Sequence, residues 1–264
     1  MPDEYFSWFH GGSLIPKEII KQTLNRIGYK NRIFSLAEET GFCRLSNMNS
    51  VLFVDIGLNQ KMVHNKKASL FGFEFFYKKE KIISNLGEIN NSKYKNMKNS
   101  LSSTAAHSSL NIDDRNNIDL SGRRITRISN IQFGKTKDGN LLDVTHSGYE
   151  TIFGVHHKRQ IYLSNKKNEI RGRDEILNIG NIGSIPKNAY IRFHLYPGIE
   201  LIKTRSGSIL LNHQKGYVWK MSSNNKNISI ENSVMFTPNG PKPCKEPVSY
   251  THLRAHETLP YLVC

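Results

Sequence analysis

Histidine, arginine and tyrosine are the residues of this chain whose types and spacing suit chemistry. His107 lies in the small-residue run Ser102-Ser103-Thr104-Ala105-Ala106-His107-Ser108-Ser109-Leu110, and His146 precedes Ser147-Gly148-Tyr149. His156 and His157 precede Lys158-Arg159, and His194 stands within Ile191-Arg192-Phe193-His194-Leu195-Tyr196-Pro197. Alternation along an extended strand puts Val155, His157, Arg159, Ile161 and Leu163 on one face. It also separates apolar Ile191, Phe193 and Leu195 from polar Arg192, His194 and Tyr196. A guanidinium offers a planar bidentate fork, and imidazole and phenol donate hydrogen bonds or move protons, so such a face suits a substrate bearing carboxylates or sulfates. The competing reading makes each histidine a hydrogen-bonded sheet residue; His107, in a loop, is the least open to it.

Other chemistries find little support. There is no GxSxG elbow, no P-loop, no GxGxxG after a strand and no HExxH. The acid pairs Glu38-Glu39, Asp113-Asp114 and Asp174-Glu175 could suggest glycosidase work. Adjacent acids point in different directions, so a solvated turn is the expectation for each. Cys43, Cys244 and Cys264 are widely spaced and lack any CxxC pair or zinc-site spacing, which leaves no disulfide scaffold to infer.

The elements that must position these residues are mostly strands. Pro16 and the apolar residues Ile19, Ile20, Leu24 and Ile27, ended by Gly28, predict one amphipathic helix, which needs a sheet to pack on. From Gly41 onward the period becomes two, with strands expected at 42–45, 51–55, 70–77, 81–85, 124–133, 141–146, 151–156, 159–163, 169–176, 190–196, 200–203, 208–212, 217–221, 228–230 and 233–236. Turn signals such as Lys137-Asp138-Gly139-Asn140 and Ser164-Asn165-Lys166-Lys167-Asn168 separate many of them. The fold class expected is all-β, a layered antiparallel β-sandwich. Residues 90–121 break the pattern and are expected to form a long loop that crosses the sandwich surface and carries a site.

Composition agrees with a packed domain. The chain has 264 residues, 38% of them hydrophobic, including 13 Phe and 11 Tyr, which excludes global disorder. No apolar run approaches the roughly 20 residues of a membrane span, and Met1 to His10 do not read as a secretory signal. Lys+Arg number 37 against 22 Asp+Glu, a net charge of +15. Part of that charge sits in Asn/Lys/Ile-rich stretches such as Asn224-Asn225-Lys226-Asn227, the signature of an AT-biased coding sequence. The lysines form no single block and no nucleic-acid-binding motif is present, so an anionic polysaccharide is a better partner than nucleic acid.

The end of the chain stands apart. Ser249-Tyr250-Thr251-His252-Leu253-Arg254-Ala255-His256-Glu257-Thr258, running on to Cys264, resembles a peptide produced when a sequencing adapter is translated in frame. Residues 249–264 are therefore expected to lie outside the domain.

Taken in order, Phe9-His10-Gly11-Gly12-Ser13, Phe53-Val54-Asp55-Ile56-Gly57, Gly72-Phe73-Glu74-Phe75, Ser103 to Leu110, His146-Ser147-Gly148-Tyr149, His157-Lys158-Arg159, Arg173-Asp174 and Arg192 to Pro197 resemble the C-terminal part of bacterial heparinase II/III family proteins. The resemblance implies that residues 1–35 are a remnant of an N-terminal α/α toroid and 36–248 a heparinase II/III-like β-sandwich. It also implies a periplasmic or envelope location and a parent that eliminates across uronic-acid linkages. Such elimination requires neutralisation of the uronate carboxylate, a base for the C5 proton and an acid for the leaving oxygen.

By the same resemblance, an Asn and a Tyr of the toroid supply much of this, and a sandwich His-Gly-His motif adds a catalytic His and a metal ligand. The matching positions here read Asn65-Lys66-Lys67, with Asn85 where the next metal-ligand Asp would fall, so neither a metal nor another cofactor is expected. His107 matches a cleft-facing histidine and is the expected acid/base or substrate contact. Tyr149, His157, Arg159, His194 and Lys67 are the expected substrate-binding residues, with anionic polysaccharide and the missing toroid as partners. The fragment alone is expected to be inactive. The alternative is a non-catalytic anionic-glycan-binding or structural β-sandwich module.

Overall fold

The computed structural model describes residues 17–28, 34–57, 66–89, 92–180, 183–224, 228–237, 239–253 and 261–263. Antiparallel strands in three sheets are its main element. One sheet carries, in spatial order, Leu36–Ala37, Phe42–Ser46, Ser50–Asp55, Phe73–Tyr77, Glu80–Ser84 and His194–Leu195. A second runs Glu200–Lys203, Ile209–Asn212, Val218–Ser223, Tyr261–Val263, Ile170–Asn178, Val155–Ser164, Gly139–His146 and Ile128–Lys135. A third pairs Ile228–Thr237, Gly240–His252, Asn188–Arg192 and Leu110–Ile112. The all-β layered architecture read from the sequence is the one observed.

Period-two sequences build these sheets because one face of each strand enters a shared interior. Val155–Ser164 alternates buried and partly buried along almost its whole length. One continuous core joins the layers, with Leu45, Leu52, Phe71, Phe75, Leu142, Val144, Leu163, Leu195 and Ile209 all at most 2% exposed. Phe73–Tyr77 is buried at all five positions, which marks a strand covered on both faces.

Several local expectations are corrected. The segment expected as a 151–156 strand begins instead as a helical turn, Glu150–Phe153, ended by Gly154 at φ 64°. The chain must reverse between the paired strands Gly139–His146 and Val155–Ser164, and that reversal outweighs the β-propensity of Thr151, Ile152 and Phe153. The expected 190–196 strand is split at Phe193 and enters two different sheets. The predicted helix is present as Lys17–Arg26, but Ile19 and Ile27 are 51% and 63% exposed, so it does not lay that face on the sheets.

Residues 92–112 hold short helical turns, Ser92–Met97, Lys98–Ser102 and Thr104–Ala106, and the strand Leu110–Ile112. From Ala106 to Ile112 every residue is buried, so this stretch runs through the interior and not across the surface. Gly240–His252 continues beyond residue 248, with Ser249, Tyr250, Thr251 and His252 opposite Ile191, Tyr190, Ala189 and Asn188. Leu36, inside the expected sandwich, already pairs with Cys43.

Candidate functional site

The segment around His107 is gripped at nearly every residue. Thr104 N–H donates to Asn116 Oδ1 at 2.9 Å, and Thr104 Oγ1 accepts from Asn117 N–H at 2.9 Å. His194 Nε2 lies 2.9 Å from the Ala105 carbonyl, and Leu86 N–H donates to the Ala106 carbonyl at 3.0 Å. Ser108 Oγ donates to the Ser84 carbonyl at 2.8 Å and accepts from His194 N–H at 3.2 Å. Ser109 Oγ donates to the Leu70 carbonyl at 2.6 Å, and Tyr149 Oη donates to the Leu110 carbonyl at 2.9 Å. Small hydroxyl residues suit this stretch because they fit between packed layers and still saturate buried backbone groups. His107 itself is 1% exposed.

Arg159 supplies the strongest grip. Its Nη1 donates to the carbonyls of Phe71 and Ser108, at 2.7 and 2.9 Å, while Nε and Nη2 form a two-point contact with Asp174 at 2.7 and 3.0 Å. Strand register explains the pairing, since Arg159 and Asp174 stand directly opposite each other in the Val155–Ser164 and Ile170–Asn178 hairpin. Burial alone would push the Asp174 carboxyl up, but the Arg159 charge and the His157 hydrogen bond outweigh it and hold the group well below the usual carboxylate range. Phe71, whose carbonyl Arg159 holds, has φ 58°, a left-handed conformation that costs a non-glycine residue about 1–3 kcal/mol. Its N–H donates to Asp55 O at 2.8 Å, so both of its backbone polar groups are tied.

Two histidines extend this cluster, and their tautomers follow from their partners. Gly148 N–H donates to His146 Nδ1 at 2.9 Å, which leaves the proton of a neutral His146 on Nε2. That proton points to His157 Nδ1 at 3.1 Å, and His157 Nε2–H then donates to Asp174 Oδ1 at 2.6 Å. Burial first, then neighbouring positive groups, pushes His146 well below its ordinary value. Burial also lowers His157 and outweighs the opposing pull of Asp174. The His-Ser-Gly-Tyr run has a physical basis here: a Cβ on Gly148 would sit 2.0 Å from the Asn117 carbonyl oxygen and 2.9 Å from His146 Nδ1.

His194 grips from another side. Its Nε2 faces the Ala105 carbonyl and its Nδ1 faces Glu246 Oε2. Both ring nitrogens of His194 are thus engaged. Burial would raise the Glu246 carboxyl, but His194 and Arg192 outweigh it and lower it.

Asn85 and Lys81 converge on Glu74, and Lys67 holds a neighbouring carbonyl. Asn85 Nδ2 donates to Glu74 Oε1 at 3.3 Å, Lys81 Nζ lies 3.8 Å from Glu74 Oε2, and Lys67 Nζ donates to the Gly87 carbonyl at 3.2 Å. Burial lowers the Lys67 ammonium, while the charges of Glu88 and Glu74 oppose that shift. An ammonium and an amide in place of imidazole and carboxylate do not fit a zinc ion, because a bound metal needs deprotonated donors and gains nothing from an adjacent cation. No group of three or more His, Cys, Asp or Glu suited to a metal occurs among the described residues.

The structure therefore gathers the six residues singled out in the sequence around one interior region, all of them buried. Arg159, His194 and Tyr149 hold the His107 segment directly; His157 acts through Asp174; Lys67 holds the neighbouring Gly87. Sequence reasoning missed Asp174, set aside as half of a solvated acid pair, and Glu246. Asp174 was within reach, because the Ser164–Asn168 turn fixes a hairpin register that places it opposite Arg159. Glu246 carried no local signal, since its strand shows no clean alternation.

The family profile described as "Heparinase II/III-like, C-terminal" matches residues 30–257. The chain belongs to the heparinase II/III-like C-terminal family, a family of polysaccharide lyases. No curated protein matches the sequence. Among solved structures, the heparan sulfate lyase HepC from Pedobacter heparinus superposes with a TM-score of 0.75 at 15% identity, covering 100% of this chain and 44% of that one. A heparinase III gene product matches with a TM-score of 0.75 at 13% identity, covering 100% and 43%. A further heparinase III structure gives 0.68 at 12% identity, covering 99% and 46%. At these identities the likeness speaks for the fold, and this chain spans less than half the length of each match.

Proposed function

We propose that this chain is the β-sandwich part of a polysaccharide lyase whose complete form eliminates across uronic-acid linkages of an anionic polysaccharide. The observation that carries the reading is the fixed His107 segment inside a domain of this family. Buried donors from Arg159, His194 and Tyr149 hold the backbone on both sides of His107, the pre-organisation expected of a catalytic or substrate-contacting group. In this proposal His107 is the acid/base or substrate contact. Arg159, His157, His194 and Tyr149 serve substrate binding by fixing its segment, and Lys67 is the proposed partner of a substrate carboxylate.

The matched structures carry titles naming heparan sulfate lyase and heparinase III, which supports a sulfated, uronate-containing polymer as the first substrate to test. In this reading an Asn and a Tyr of the toroid complete the site, so the 264-residue chain by itself is proposed to be inactive. The test incubates purified chain with heparan sulfate and with alginate and follows absorbance of the unsaturated uronate product. No product from the chain alone, with product when the sandwich is joined to a family toroid and loss of that product in His107→Ala, is the expected outcome. Product from the chain alone would overturn the division of labour, and full activity in the joined His107→Ala variant would remove His107 from the site.

A further inference from the structure

A second feature lies at the far end of Phe73–Tyr77 from Glu74, three residues or about 10 Å along the strand. A cleft of about 480 Å³ opens between the end of this strand, the turn before Ile170–Asn178 and the strand Val218–Ser223. That volume falls within the roughly 300–1,000 Å³ of small-ligand sites. Tyr77, Tyr217 and Trp219 form its aromatic wall, with Tyr77 edge-on to both others at 5.2 Å. The wall is held in place: Phe75 packs edge-on against Trp219 at 5.0 Å, and Asn168 Nδ2 donates to Tyr77 Oη at 3.2 Å.

The charge around this wall is one-sided. Lys167 and Lys220, both exposed, line the cleft, and Lys78 Nζ lies 5.0 Å from the Tyr217 ring centroid. Among the described residues Glu169 is the one carboxylate lining it, and Arg171 Nη2 already pairs with that group at 3.0 Å. Carbon-rich rings beside several ammonium groups complement a ligand with apolar C–H faces and anionic substituents, the chemistry of an acidic sugar.

We propose that this cleft is a second binding site for the acidic saccharide, separate from the His107 region and serving to hold the polymer. The ligand class rests on the lyase reading above; the site itself does not, because its test involves no turnover.

Trp219 provides the signal. In a Trp8→Phe background it is the sole tryptophan of the chain, so its fluorescence is followed during titration with a heparin-derived tetrasaccharide. A saturable change is expected, with maltotetraose giving none. Tyr217→Ala, which alters no charge, weakens binding about tenfold, and Lys167→Gln/Lys220→Gln weakens it by about the same factor, while Lys242→Gln, on another sheet, stays within about twofold. Equal weakening by Lys242→Gln, or no effect of Tyr217→Ala in a protein with unchanged circular dichroism, would reduce the binding to general attraction by a basic protein and overturn the proposal. Should Tyr217→Ala fail to fold, the comparison of lysine variants decides. An oligonucleotide of equal charge that binds as tightly as the tetrasaccharide would also overturn it. Absence of lyase product in the joined protein, with this pattern intact, would sink the lyase reading and leave the site.

Discussion

The grips of Arg159 and His194 hold the same few residues in different ways. Arg159 carries a permanent charge, neutralised at two points by Asp174, and through His157 and His146 it is continuous with a chain of three donor-to-acceptor bonds. His194 is a single ring between a carbonyl and Glu246. The difference teaches where rigidity comes from. In the first cluster each polar group is oriented by the next, and loss of Asp174 or Arg159 strands a buried charge. In the second, loss of the ring costs one hydrogen bond and one ion pair.

The contrast is broken most severely at Asp174. Asp174→Ala leaves the Arg159 guanidinium buried without its carboxylate and should destabilise the chain by about 3–5 kcal/mol, read as a lowered denaturant midpoint at constant slope. A loss under about 1 kcal/mol would contradict the clamp. His194→Leu frees the Ala105 carbonyl and the Glu246 carboxylate, and the expected cost is about 2 kcal/mol, clearly less than that of Asp174→Ala. A cost equal to or above that of Asp174→Ala would reverse the ranking.

Acid should act on the first cluster. His146 and His157 are held below their ordinary value of 6.5 in the folded chain, so the unfolded chain binds protons more readily. Their contribution is complete above pH about 6.5 and is lost as pH falls below it. Denaturation midpoints at pH 7.5 and 5.5 check this, with the lower value expected at 5.5. His157→Gln/His146→Gln should flatten that dependence. The smallest effect belongs to Tyr149→Phe, which removes one hydroxyl bond to the Leu110 carbonyl for about 1 kcal/mol in the same denaturation assay.

Much of the fold was legible because it rests on local alternation. Ile209–Asn212 follows its expected bounds almost to the residue, and the alternation expected of Val155, His157, Arg159, Ile161 and Leu163 holds, although one strand stands where two were expected at 151–156 and 159–163. Gly240–His252 escaped it because Pro241, Pro243 and Pro247 occupy a hairpin arm that argues against a strand in sequence and is tolerated by its pairing with Ile228–Thr237. The site was half legible. Residue type and face picked out His157 and Arg159, yet a face containing both apolar and charged residues turned out to point inward, because Asp174 on the neighbouring strand and the carbonyls of Phe71 and Ser108 on other segments satisfy the charge. Those partners, 15, 88 and 51 residues away, are invisible to any local pattern. The Asn90-to-Ser121 region read as a surface loop for the same reason: Ser and Asn mark exposure in sequence, while here they tie interior backbone.

Native-state amide hydrogen exchange over residues 104–110 tests the clamp most directly. The account predicts that the amides of His107, Ser108 and Ser109 exchange only with global unfolding in the wild type. In Arg159→Met they should lose at least about tenfold more protection than amides of Ile228–Thr237, which Arg159 does not touch. Protection of 104–110 that falls only in step with that distant strand would contradict the claim that the buried polar cluster holds the His107 segment.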